Sequence, residues 1–281
     1  MLPHQFLVRT RAAVQQLASR HRRSIVAAAV VGLGGFTVTA FGIAPLMPDA
    51  ASLMAEIRRR FRAGEGFALA TINLDHLVKL ARDPAFRDAY GAQDLVCADG
   101  NPVVWLSRLA RKPVSLVPGS DMILPLAQLA AREGVPVALM GSTDEALAAA
   151  AAALREKVPT LTIAATIAPP MGFDPRGAEA RAIHARLAES GARLTFLALG
   201  APKQESFAAL GRQIAPGMGF ASIGAGLDFI AGRQKRAPEW VQRIAMEWLW
   251  RMLSNPRRLA RRYLDCALIL PGEALRAWRQ R

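Results

Sequence analysis

Cysteine is almost absent: Cys97 and Cys266 are the only two in 281 residues. They stand far apart and in no metal-ligand spacing, which excludes a disulfide framework and a zinc ribbon. Each reads as a small buried apolar residue. Histidine is scarce as well. His4, His21, His76 and His184 form neither a cluster nor an H-x-x-x-H pair, so the usual zinc signatures are missing. No D-x-D triplet occurs, and a metal held by paired carboxylates is therefore not indicated. There is no G-x-G-x-x-G and no P-loop lysine pattern, which leaves an ATP or dinucleotide enzyme poorly supported. A nicotinamide oxidoreductase needs a glycine fingerprint after its first strand, and residues 41–50 (FGIAPLMPDA) lack one. Acidic residues are missing from the first 35 positions.

What is present is apolar and basic. Hydrophobic residues make up 52% of the chain, enough to bury one sizeable core with an appendage. The net charge of +14 is uneven: residues 1–35 carry +5, residues 233–281 carry +8, and the stretch between is left with +1. A nearly neutral core with two basic tails suits a phosphate-rich partner. In the C-terminal tail, arginines alternate with Trp248, Leu249, Trp250, Met252, Leu253, Leu259, Tyr263 and Leu264. Apolar residues between basic ones at helical spacing favour an anionic membrane surface over nucleic acid; an ordinary solvated helix face is the plainer alternative.

Ser24 to Met47 carries no charge. The run divides into a short apolar segment ending at Gly34-Gly35 and a strand-like stretch, Phe36–Ala44, that stops at Pro45. Asp49 is then placed to cap a helix running to Arg62. A membrane span or signal anchor is the alternative reading of this run. It would carry the rest of the chain outward, because five arginines precede it.

From Phe36 onward, strand-like runs alternate with helical patterns. The strands are expected at 67–72, 95–98, 136–140, 161–167, 194–199 and 219–223. The helices are expected at 76–90, 121–132, 144–157, 175–190 and 203–214. This alternation predicts an α/β fold with a Rossmann-like, mostly parallel sheet flanked by helices. The expected division is an N-terminal extension (1–35), a core (36–236) and a basic helical appendage (237–281). Ligands in such folds bind beyond the carboxyl ends of the strands. Polar and glycine residues follow nearly every apolar run: Asn73 and Asp75, Asp99-Gly100-Asn101, Gly141-Ser142-Thr143, Gly200 to Glu205, and Gly224-Ala225-Gly226. They predict one wide cleft.

Within it, Gly141-Ser142-Thr143 forms a turn into a helix start, where backbone amides suit phosphate, although a plain N-cap explains Ser142 or Thr143 equally well. Asp99 can act as a general base toward a sugar hydroxyl, or Asp99-Gly100 can be a simple turn. Lys203 suits a phosphate, Gln204 a base or sugar, and Glu205 the first helical turn. A capped surface helix is the alternative for that stretch. In the tail, Pro256 starts a helix. Arg258 shares a face with Arg261 and Arg262, and such a fork of guanidinium groups suits a diphosphate.

Six stretches resemble one family. They are TINLDHLVKL (71–80), DLVCADGNPVVW (94–105), VPGSDMI (117–123), LGAPKQE (199–205), GAGLDFIAGRQKRAPEWVQ (224–242) and EWLWRMLSNPRRLARRY (247–263). Together they resemble the family of teichoic-acid and enterobacterial-antigen N-acetylmannosamine transferases and xanthan-type glucosyltransferases. The resemblance covers about 36–264 and rests on all six stretches together.

It implies an inverting, metal-independent glycosyltransferase of surface polysaccharide synthesis, without a cofactor. The donor would be a UDP-sugar and the acceptor a polyprenyl-diphosphate-linked saccharide. The enzyme would lie at the inner face of the membrane, and its appendage would order on that membrane or in a homo-oligomer. Asp99 matches the catalytic base. Thr71, Asn73 and Gln204 match pocket residues, and Arg251, Arg258 and Arg261 match phosphate-engaging arginines of the appendage. Ser120, Asp121, Gly141, Lys203 and Glu205 complete the expected substrate-binding set. Two departures stand out. Leu116 occupies a position where a basic residue is expected, so one phosphate contact is missing or replaced. Residues 1–35 have no counterpart, and stand as an extra membrane contact or the product of an upstream start codon. A non-catalytic scaffold on the same fold is the rival reading; Asn73, Asp99 and Gln204 all stand, which argues against it.

Overall fold

Helix α1 (Ala50–Ala63) starts where Asp49 takes an extended conformation and its carboxylate accepts the Ser52 amide at 2.7 Å. Leu53, Ile57 and Phe61 recur at helical spacing and are its buried residues. Asp49→Ala is expected to cost about 1 kcal/mol, read as a lower midpoint in urea at neutral pH; an unchanged midpoint would show that the cap contributes nothing. The backbone described in this computed structural model covers residues 45–281 apart from 225, 233–237, 239–249, 251, 254 and 255. The expected extension 1–35 and the strand expected over Phe36–Ala44 lie outside the described residues.

Six strands form one all-parallel sheet: β1 (Phe67–Ile72), β2 (Leu95–Ala98), β3 (Val137–Gly141), β4 (Ile163–Ile167), β5 (Leu194–Ala198) and β6 (Gly219–Ser222). Their order is β2-β1-β6-β5-β3-β4. The first strand therefore lies beside the last, with Phe67 opposite Gly219. Five strands are buried along nearly their whole length, which is why they read as continuous apolar runs rather than alternating ones.

The helices are α2 (Leu74–Arg82), α3 (Pro84–Gly91), α4 (Asn101–Leu109), α5 (Gly119–Arg132), α6 (Asp144–Lys157), α7 (Ala178–Glu189), α8 (Lys203–Ile214), α9 (Gly226–Ile230) and α10 (Pro256–Trp278). One face of the sheet packs against α1, α5, α6 and α9, through residues such as Phe61, Ile123, Leu154 and Leu227. The other packs against α2, α3 and α4 at one end and α7 and α8 at the other. Chains leaving β1 and β5 pass to the second face, and the chain leaving β6, between them, passes to the first. The chains leaving neighbouring strands thus diverge to opposite faces, and at such switch points crevices form at a parallel sheet's carboxyl edge.

The structure corrects the helix expected over 76–90. Asp83 accepts the amides of Ala85 and Phe86, at 2.9 and 3.1 Å, and Pro84 follows it without an N–H of its own. A proline there ends one helix and starts the next. Helix α4 was not expected from the sequence. Helix α10 packs on α2 and α4, with Ile269, Leu270, Ala274 and Ala277 against their core. Two ion pairs fasten it to α2: Arg82 to Asp265 at 2.8 Å, and Arg262 to Asp75 at 3.0 Å. Among the described residues, no helix is long and apolar enough to cross a membrane.

Candidate active site

Thr71 lies near the end of β1, paired in register with Cys97 of β2, and Asp99 follows two residues beyond Cys97. Alternation along the strands puts both Thr71 and Asp99 on the face that carries α5. The Asp99 amide donates to Ile72 O at 2.8 Å, extending the ladder one residue past the strand. Its Oδ2 accepts the Thr71 hydroxyl at 3.2 Å. The carboxylate is half-buried, held by β1 from the side. Beneath it, burial pushes the Cys97 thiol up to about 12, with the Asp99 charge adding to the shift, so this cysteine is inert at neutral pH.

Gly100 turns the chain with φ +125°, a region that excludes side chains, and a Cβ there would lie 3.5 Å from the Cβ of Asn73. That turn brings Asp99 beside Asn73. Asn73 caps α2: its Oδ1 accepts the His76 amide at 3.2 Å, and its own amide donates to His76 Nδ1 at 3.1 Å. Helix α5 begins against the same corner. A Cβ on Gly119 would sit 3.2 Å from Thr71 Cγ2, and one on Gly226 would sit 3.2 Å from Ser120 Cα. Both glycines let α5 and α9 start close to the strand ends. Ser120 Oγ lies 3.4 Å from Asp121 Oδ1, with Ser120 half-buried and Asp121 exposed.

The β5 and β6 exits meet through Gln204. Its Oε1 accepts the Gly224 amide at 3.1 Å, and its Nε2 donates to Glu205 Oε1 at 2.9 Å. Gln204 is 3% exposed and Glu205 fully buried, so the Glu205 carboxyl faces the interior beneath the cleft. Lys203, one residue earlier, is exposed. Gly141 has a structural reason of its own. With φ +116° it passes so close to β5 that a Cβ would lie 2.4 Å from Ala198 O. Thr143 caps α6, accepting the Ala146 amide at 3.3 Å.

Thr71, Asn73, Asp99 and Ser120 thus gather at the ends of β1 and β2, while Gln204 joins the β5 and β6 exits. Gly141 borders β5. Arg261 is exposed on α10, and Arg262, beside it, is taken up by Asp75. Arg251 and the Arg258 side chain lie outside the described residues. Sequence reasoning placed Gly224 at the cleft without its Gln204 partner and missed His76; a histidine at the third position of a helix capped by asparagine is the signal that points to it. Among the described residues, no three His, Cys, Asp or Glu side chains gather into a metal-holding group.

A half-buried carboxylate, a neighbouring hydroxyl and two helix starts lie at the carboxyl edge of this doubly wound parallel sheet, the edge at which α/β folds bind their ligands. Residues 38–281 match the model of the glycosyl transferase WecG/TagA/CpsF family, and the chain belongs to that family. It is a glycosyltransferase of cell-surface polysaccharide synthesis, taking a sugar-nucleotide donor and a saccharide acceptor.

Proposed function

We propose that the enzyme moves a hexose, of the N-acetylmannosamine type or glucose, from a UDP-sugar to a polyprenyl-diphosphate-linked saccharide, with inversion and without a metal. The observation that carries this reading is Asp99, held by the Thr71 hydroxyl at the mouth of the crevice. Its carboxylate takes the proton of the acceptor hydroxyl as that oxygen bonds to the anomeric carbon. The bond from that carbon to the UDP oxygen breaks on the opposite face, and UDP leaves with the electron pair. Arg251, Arg258 and Arg261 supply the positive charge that a departing diphosphate needs.

The membrane surface is supported by the outer side of α10. Leu264, Leu268, Leu275 and Trp278 are exposed there, with Arg257 and Arg261 nearer its start and Arg279 just beyond its end. Such a row suits the interface of an anionic membrane.

The test is UDP release by the full chain, with a panel of UDP-sugars and a short-chain lipid-diphosphate saccharide in detergent. Acceptor-dependent release from one donor, unchanged by EDTA, is the expected result. Release abolished by EDTA would overturn metal independence, and release from no UDP-sugar would overturn the donor class.

A further inference from the structure

Beneath the crevice lies a set of polar side chains that the reaction does not use directly. His76 is 6% exposed and Glu205 fully buried. His76 Nδ1 accepts the Asn73 amide, so its ring carries its proton on Nε2. That Nε2 stands 3.9 Å from Glu205 Oε1. The same Oε1 accepts Gln204 Nε2, while the other end of the Gln204 amide accepts the Gly224 N–H. From Asn73 to Gly224, a row of polar groups, hydrogen-bonded except across the 3.9 Å between His76 and Glu205, links the exits of β1, β5 and β6. Two more groups brace it. Gln93 donates to Glu205 O at 3.1 Å, and Tyr90 donates to Thr71 O at 2.5 Å.

A buried carboxyl is expensive, and a leucine or methionine would fill the same space more cheaply. Among the described residues Glu205 Oε2 has no hydrogen-bond partner, which adds to that cost. Glu205 is too deep to reach a ligand itself. What it fixes is the orientation of Gln204, whose amide has a defined partner at each end.

We infer that Glu205 and His76 are positioning residues: a buried pair, contributed by α8 and α2, that holds Gln204 with Gly224, and Asn73, as one frame around the crevice. This rests on the glycosyl-transfer reading above. Glu205 acts through Gln204, and His76 acts through Asn73. Paired substitutions should then be no worse than loss of Gln204 or Asn73 alone, because Glu205 or His76 then has nothing left to position.

The experiment is a double-mutant cycle in the full chain, read as acceptor-dependent nucleotide release and, separately, as hydrogen exchange at the Gly224 amide. Glu205→Met is expected to lower turnover about 10- to 100-fold, as a misplaced site does, by the same factor as Gln204→Ala and with the same division between kcat and KM. The double variant should fall no further. Glu205→Gln, which keeps an oxygen for Gln204 Nε2, should rescue most of the loss. Asn73→Ala with His76→Phe should be non-additive in the same way. Gly224 should exchange faster in both Glu205→Met and Gln204→Ala. Losses that multiply in the double variants, or a Glu205→Met that melts lower with unchanged kcat and KM, would overturn the proposal. If Glu205→Met does not fold, Glu205→Asp, one methylene shorter, takes its place in the cycle. A wild-type chain that releases no nucleotide would overturn the transfer reading alone. Gly224 exchange then decides, and unaltered exchange in both variants would overturn the frame.

Discussion

Asp99→Asn is expected to lower acceptor-dependent turnover by about 10²- to 10⁴-fold, the usual contribution of a general base, while the fold stays intact. The substitution keeps the shape of the side chain. An amide oxygen still accepts the Thr71 hydroxyl now 3.2 Å from Oδ2. The bond from the Asp99 amide to Ile72 O belongs to the backbone and is unaffected. What is lost is the ability to take up a proton, since a carboxamide is not basic near neutral pH. Initial rates at saturating donor, set beside melting curves of both proteins, make the comparison. Full activity in the variant would remove Asp99 from the base role. A loss accompanied by a large drop in melting temperature would assign the effect to folding instead.

The second large effect is on stability and follows from Glu205. Burial pushes its carboxyl up to about 7, with the Gln204 hydrogen bond acting the other way. Below the ordinary value of 4.5 both folded and unfolded chains hold this proton, and it contributes no difference. As pH rises from there the unfolded chain loses the proton first and gains stability relative to the folded one. The cost to folding is complete above about 7 and reaches roughly 3 kcal/mol.

His76 and His184 work in the opposite direction. Burial depresses their pKa values to about 3 and about 4, so folding loses stability as pH falls below the usual histidine value of 6.5. Glu205→Gln has no proton to lose. Urea unfolding of both proteins from pH 5 to 8 should show the variant gaining on wild type by about 3 kcal/mol across the range. A difference that does not change with pH would mean that Glu205 is already ionised in the folded chain.

Much of this architecture was legible because it is written locally. The strands at 67–72 and 95–98 and the helices at 144–157 and 203–214 fall at the residues where apolar runs, caps and charged turns put them. The break at Asp83-Pro84 was also written there, and was overridden by a helical apolar spacing that continues across it. Helix α4 escaped notice because its short apolar run, Val103 to Leu106, follows the glycine turn of the Asp99 motif and lacks a polar cap: Gly100 stands at its N-cap without a side chain.

The candidate site divides in the same way. Asp99 and Asn73 lie just beyond strand ends, where the α/β pattern alone sends attention, whereas Thr71, inside β1, was marked only by the resemblance to the family. The depth of Glu205 was not legible. It occupies the third position of a helix, where an acid normally faces solvent and the helix dipole, and only the packing of α8 against α3 turns it inward. Nor does any local signal say that β1 lies beside β6, the arrangement that brings Ser120 and Gly226 together.

Helix α10 has two very different sides. Ile269, Leu270, Ala274 and Ala277 belong to the core shared with α2 and α4, whereas Leu264, Leu268, Leu275 and Trp278 face outward. Trimming the C-terminus to obtain a better-behaved preparation would strip the inner row along with the exposed outer one and uncover the apolar surface of α2 and α4. Polar replacements confined to the four outer positions leave that core whole. A need for detergent that arises from this helix is expected to follow those few outer side chains, and the length of the chain can be left alone.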